Sequence, residues 1–243
     1  MRTIIAAALL GASLIICFAI ISKAYKYRFT SNETITVTGL AEQDFNSNLI
    51  VWKGSYSRKS MDLKTSYAIL KADEDAIKKY LSAKGIADKE IVFSSIDISK
   101  DFDTKEDDKG KTISQVFTGY VLKQVVTVES AEVDKVEQIS REATELIQQG
   151  IEFNSQAPSY YNTKLAEVKM ALLAKASADA KARAEAIAKN ADNSLGKLKK
   201  ASMGVFQITG KNSNEDFSYG GAFNTSDKLK TGSITIKMEF GVN

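Results

Sequence analysis

The first regularity along the chain is an uncharged run. From Thr3 to Ile21 nineteen residues carry no charge and consist mainly of Ile, Leu, Ala and Phe. As a helix rising about 1.5 Å per residue, such a run spans about 28 Å, close to the hydrocarbon thickness of a bilayer. It predicts one N-terminal transmembrane helix in residues 1–24, acting as a membrane anchor or uncleaved signal segment, with 3–21 in the membrane. A juxtamembrane linker is expected over 25–34, where Tyr25, Tyr27 and Phe29 alternate with Lys26 and Arg28. Rings and long cationic side chains of this kind suit the headgroup layer. Ser22-Lys23-Ala24 offers a cleavage site, so removal of the segment stays open. Arg2 before the run and three basic residues after it leave the orientation open on charge alone.

Beyond this run the pattern becomes that of a folded body. ITVTG at 35–39 begins a strand that 48–58 continues, with Ile50, Trp52, Gly54 and Tyr56 on one face by alternation. That spacing makes Trp52 and Tyr56 core residues. Helical spacing takes over in 62–84, where Leu63, Tyr67, Leu70, Ile77 and Leu81 form a stripe that Gly85 ends. Residues 90–102 predict a strand, 103–111 a polar hairpin loop, and 112–129 a long strand that is apolar on both faces in its second half. Ser130 would cap a second helix, 131–149, with Val133, Val136, Ala143, Leu146 and Ile147 inward and Gly150 at its end. A short strand at 151–155 completes the order β-α-β-β-α-β of a ferredoxin-like core.

A third helix, from about Thr163 to Asn190, places Leu165, Val168, Leu172, Ala176, Ala180, Ala184 and Ile187 on one stripe. Alanine favours the helix and lets it approach a sheet closely. Strand pattern resumes at 197–209. The stretch 210–230 has no periodicity and is rich in Gly, Ser, Asn and Asp, so it is expected to be a functional or disordered loop. A final strand at 232–241 turns Ile234, Ile236, Met238 and Phe240 inward. The expected class is α+β: a ferredoxin-like βαββαβ core with an added long Ala-rich helix and C-terminal strands, forming one body over 35–243.

Composition narrows the chemistry. The 33 basic and 30 acidic residues are interspersed, so the net charge of +3 has no concentrated footprint for nucleic acid. The densest basic cluster, Lys197, Lys199 and Lys200, is read as a solvated element end. The chain has no histidine, and its single cysteine, Cys17, lies inside the N-terminal run. This removes the usual general base, Ser-His and Cys-His nucleophiles, thiolate ligands and disulfides from the body. Asp101, Asp103, Asp107 and Asp108 invite a metal, but Lys105, Glu106 and Thr112 stand where a calcium loop needs an oxygen ligand, a glycine and a glutamate. Gly204 with Gly210-Lys211 misses the phosphate-loop spacing by one residue, and Asn212 replaces the required hydroxyl. Ser194 and Lys197 fit S-x-x-K, but at a helix end rather than a helix start. No catalytic, cofactor or metal residue is assigned. Phe217, Tyr219 and Phe223 remain: three aromatics in a Gly/Ser-rich loop with no core to join, and therefore candidates for a subunit interface.

ITVTGLAEQ at 35–43, ALLAKASADAKARAEAIAKNAD at 171–192, LGKLKKAS at 195–202 and GSITIKMEFGV at 232–242 together resemble the SIMPL-domain (DUF541) family in order and spacing. The resemblance implies an extracytoplasmic bacterial protein, with some members forming ring-like homo-oligomers, and it brings no catalytic residues. The expected protein is a single-pass inner-membrane scaffold with a periplasmic domain, self-assembling into a ring or cage and performing no chemistry. The alternative is a monomeric periplasmic binding module whose 210–230 loop roofs a pocket for a small ligand or peptide.

Overall fold

The computed structural model describes residues 2–30, 33–106, 108, 110 and 112–243; within the first helix, side chains are described from Leu10 to Tyr25. That helix, α1 (Arg2–Thr30), continues through most of the stretch expected to be a linker. Among the described residues no helix is long and apolar enough to cross a membrane.

The body is mixed α+β, built from two antiparallel sheets, each with its own core. β1 (Thr34–Asn46) and β2 (Leu49–Ser60) are followed by α2 (Leu63–Ala83), β3 (Ile91–Phe93), β4 (Asp97–Glu106) and β5 (Thr112–Ser130). Then come α3 (Val133–Glu142), a 3-10 turn (Ala143–Gln149), β6 (Asn154–Ser155), β7 (Ser159–Tyr161) and α4 (Leu165–Asn190). β8 (Leu195–Met203), β9 (Gln207–Gly210) and β10 (Leu229–Val242) close the chain.

The first sheet has the order β3-β5-β2-β6, with β4 also on β5 and β7 also on β2. Its strands and helices follow the split βαβ order expected from the sequence. α2 and α3 cover one face. Ile50, Trp52 and Tyr56 are buried there with Leu70, Ile77, Leu81, Val126 and Val128. Arg58 on β2 donates to the buried Asp73 of α2 at 2.8 Å and to Gly150 O at 2.8 Å, tying strand, helix and turn together.

The second sheet has β10 at its centre, β1 on one side, and β8 and β9 on the other. α4 lies on one face, with Leu172, Ala176, Ala180, Ala184 and Ala188 buried against Val37, Ala41, Ile234, Ile236, Met238 and Phe240. Alanine's small side chain sets the distance. Strand β1 comes so near that Gly39 has no room for a side chain beneath the α4 backbone.

Several expectations are corrected. Segments 35–39 and 48–58 are not one strand: β1 belongs to the second sheet and β2 to the first, with Ser47 and Asn48 between them. The 90–102 strand is interrupted at 94–96, where Ser94 bonds β5 through its backbone and hydroxyl. The 103–111 loop is shorter than expected: its first four residues are strand, since β4 runs on to Glu106, and β5 begins at Thr112. Ser130 is the last residue of β5; its hydroxyl still accepts the Glu132 N–H at 3.1 Å, but the helix starts at Val133. The second half of the 131–149 helix tightens into the 3-10 turn, and Gly150 ends it at φ 77°. Ile147 is exposed and Ile139 takes the inward place. Leu63 and Tyr67 are also exposed, on the wall of an open cleft that they share with Ile98 and Leu122, and Ile187 yields to Ala188. The 197–209 strand is two strands, interrupted at 204–206.

Candidate functional site

Loop 211–228 connects β9 to β10, and three buried side chains fold it. Gln207 accepts the N–H groups of Ser218 at 3.1 Å and Ala222 at 2.7 Å, and donates to Ser218 O at 2.9 Å. The returning arm of the loop lies beside β9: Ile208 N–H donates to Ala222 O and Asn224 N–H to Ile208 O, each at 2.8 Å. Asn224 donates to Asp227 Oδ2 at 2.7 Å and to Glu215 Oε1, while its own Oδ1 accepts the Asp227 N–H.

Lys230, only 2% exposed, donates to Asn224 O at 2.6 Å and to Asn224 Oδ1 at 3.1 Å. Burial pushes its ammonium below the ordinary lysine range, opposed by the charges of Asp227 and Glu215. This clamp was readable in part. Lys230 has the same strand parity as Ile234 and Ile236, so alternation alone turns it inward. Its partners, Gln207, Asn224 and Glu215, carry no pattern that marks them.

The loop is also fastened to the first sheet's layer. Lys228 donates to Asp134 and Glu137 of α3, each at 2.8 Å, which raises its own value and lowers that of Glu137. Lys228 O accepts from Ser47 N–H at 2.9 Å, and Thr225 O from Tyr160 N–H at 2.7 Å. The aromatic side chains are therefore displayed on an ordered loop. Tyr219 is wholly exposed, Phe217 66% and Phe223 56%.

Phe217 and Tyr219 form one wall of a cleft of about 230 Å³, with Leu40, Val205 and Thr235 on the sheet side. Phe223 does not line it; it sits on the returning arm beside Ile208. The hydroxyls of this cleft belong to Ser218, Tyr219, Ser233 and Thr235, and no carboxylate, lysine or arginine lines it with them. The other sequence candidates lie elsewhere. Asp101 is on β4, where its carboxylate binds Lys59 and Thr118. Asp103 is also on β4, Asp108 lies in the tip beyond it, and Asp107 is outside the described residues. Among the described residues no group of three or more His, Cys, Asp or Glu could hold a metal.

The sequence of this body matches a known family. The SIMPL family, described as proteins of unknown function (DUF541), matches residues 35–242, which includes both sheets, α4 and the loop. The chain belongs to the SIMPL family. No curated protein sequence matches it significantly. In this SIMPL domain the matched region begins within β1 and ends at β10, so the two strands that pair along Thr34–Asn46 bound the family's unit.

The clamp predicts an acid response. Glu215 accepts from Asn224 and from the Gly210 N–H at 2.9 Å, and these bonds hold its carboxyl below the ordinary 4.5. A lowered folded-state value means that its contribution is complete above about 4.5 and is lost as pH falls through the lowered value. The protection factor of the Gly210 amide should therefore fall, relative to core amides, as pH drops below about 4.5. Glu215→Gln should remove most of that pH dependence.

Proposed function

We propose that this SIMPL domain is a self-assembling scaffold, held at a membrane by its N-terminal helix and working by contact rather than catalysis. The carrying observation is the aromatic loop: buried bonds from Gln207, Asn224 and Lys230 hold it, while Phe217, Tyr219 and Phe223 face outward. Ordering rings in solvent yields little unless something covers them, and aromatic anchors commonly dominate interfaces. The anchor rests on the uncharged run Thr3–Ile21 and on the exposure of Leu10, Ile15, Phe18 and Ile21 along α1. In this reading α1 crosses the inner membrane once and the body lies in the periplasm. Copies joined head to tail either close into rings or extend as filaments.

A second reading, a monomeric binding module, is favoured by the cleft beneath Phe217 and Tyr219. One experiment separates the two. The triple variant Phe217→Ser, Tyr219→Ser, Phe223→Ser should lower oligomer size by light scattering and leave circular dichroism unchanged. If the wild-type body lacking residues 1–24 is already monomeric at high micromolar concentration, assembly through the body is wrong and the cleft carries the function.

A further inference from the structure

The two sheets present four edges, and they are treated differently. On the second sheet, the β1 edge is blocked mid-strand: the Leu40 N–H donates to Asp179 of α4 at 2.9 Å. On the first sheet, the β6 and β7 side consists of strands of two and three residues, and β7 gives its Tyr160 N–H to the loop at Thr225. The remaining edges, β4 and β8, are long. Among the described residues each pairs on one side only, β4 with β5 and β8 with β10. They span ten and nine residues, about 30 Å each.

Their charges are opposite. β4 carries Asp97, Asp101, Asp103 and Glu106 against Lys100 and Lys105, a net of −2. β8 carries Lys197, Lys199 and Lys200 and no acidic residue, a net of +3. β4 also needs support. β2 ends at Ser60, opposite Tyr120, and past that point β4 and β5 continue as a two-stranded ribbon exposing Phe102, Ile113 and Val116. Such a ribbon is marginal in water, and an open edge is a template for another strand. Lysines on β8 repel a second β8 and acids on β4 repel a second β4, whereas β4 against β8 is attractive. Specificity comes from the disfavoured pairings as much as from the favoured one.

We infer that β4 of one copy pairs edge to edge with β8 of the next, adding a strand-to-strand contact to the self-assembly proposed above. The inference rests on that reading for its partner, a second copy of this chain, and assigns the two surfaces that meet. Because β4 and β8 are different surfaces, the contact is head to tail and repeats from copy to copy.

The test uses the full chain in detergent, with mass read by light scattering. One variant reverses the basic edge (Lys197→Glu, Lys199→Glu, Lys200→Glu) and another the acidic edge (Asp97→Lys, Asp103→Lys). Asp101 is spared because it binds Lys59 and Thr118. Exposed changes of this kind leave the fold intact, as circular dichroism will check. Each variant alone should fall well below the wild-type mass. An equimolar mixture should recover the wild-type mass, since the reversed β8 of one then meets the reversed β4 of the other. An assembled wild type whose mass survives both reversals overturns the edge pairing and leaves self-assembly standing. Variants that dissociate, but whose mixture does not recover the wild-type mass, overturn the edge pairing as well. A monomeric wild type overturns both.

Discussion

Trp52→Ala is expected to cost about 3–5 kcal/mol, the range for emptying a large aromatic from a core. Trp52 is wholly buried on β2, its ring 5.8 Å from Phe153 and tilted 50° to it, with Tyr56 stacked on the far side of Phe153 at 6.5 Å. Its indole N–H donates to Ser155 Oγ at 3.0 Å, and that hydroxyl donates onward to Ser140 O at 2.6 Å. Truncation leaves a cavity between β2, β6 and α3 that β2, paired on both sides, cannot close. For a body of this size each kcal/mol moves Tm by roughly 2–4 °C, so a fall of about 6–20 °C is expected. The chain has one tryptophan, so its fluorescence disappears with the substitution and unfolding must be followed by circular dichroism in urea. A loss below about 1 kcal/mol would mean that the two-layer core is wrongly described.

Gly39→Ala should be nearly as damaging, for the opposite reason. A methyl group there would sit 2.2 Å from Ala176 O, 2.6 Å from Ala180 N and 2.8 Å from Ala180 Cβ. Two of these atoms are helix backbone, which cannot rotate away, so α4 must shift off β1. Overpacking typically costs about 1–3 kcal/mol, and a clash with backbone belongs at or above the upper end. Adding Ala180→Gly should recover only a small part, because it removes the least severe of the three contacts. Gly220→Ala, in the exposed loop with its nearest neighbour at 4.0 Å, is the control and should leave Tm within about 2 °C. Equal Tm values for the two glycine variants would refute the close approach of β1 and α4.

Element types were legible wherever a local period exists. The alternation of Ile50, Trp52 and Tyr56 and of Ile234 through Phe240 marked buried strand faces, and the structure buries those residues. Leu172 through Ala184 marked the helix face that meets the second sheet. The order of elements from β2 to β6 also indicated a split βαβ sheet, since that topology follows from sequence order and short connections. Errors gathered at element ends, where burial depends on what lies opposite. Tyr67 and Leu63 continue the α2 stripe but line an open cleft with Ile98 and Leu122.

The site was legible only as composition. Aromatics in a Gly/Ser-rich loop identified Phe217, Tyr219 and Phe223 as residues without a local core, but did not show that the loop is ordered. That depends on Lys230 and Gln207 meeting Asn224, Ser218 and Ala222, contacts fixed by side-chain geometry and not by period. By itself the sequence determined the strands, the helices and the faces they bury, because those follow from alternation and helical spacing within a few residues. Tertiary structure alone decided that β1, at the start of the body, pairs along its whole length with β10 at the end. Elements from β2 to β7 are thereby enclosed between two strands of the other sheet. Pairing at such separation leaves no periodic trace, and the same closure left β4 and β8 as the open edges.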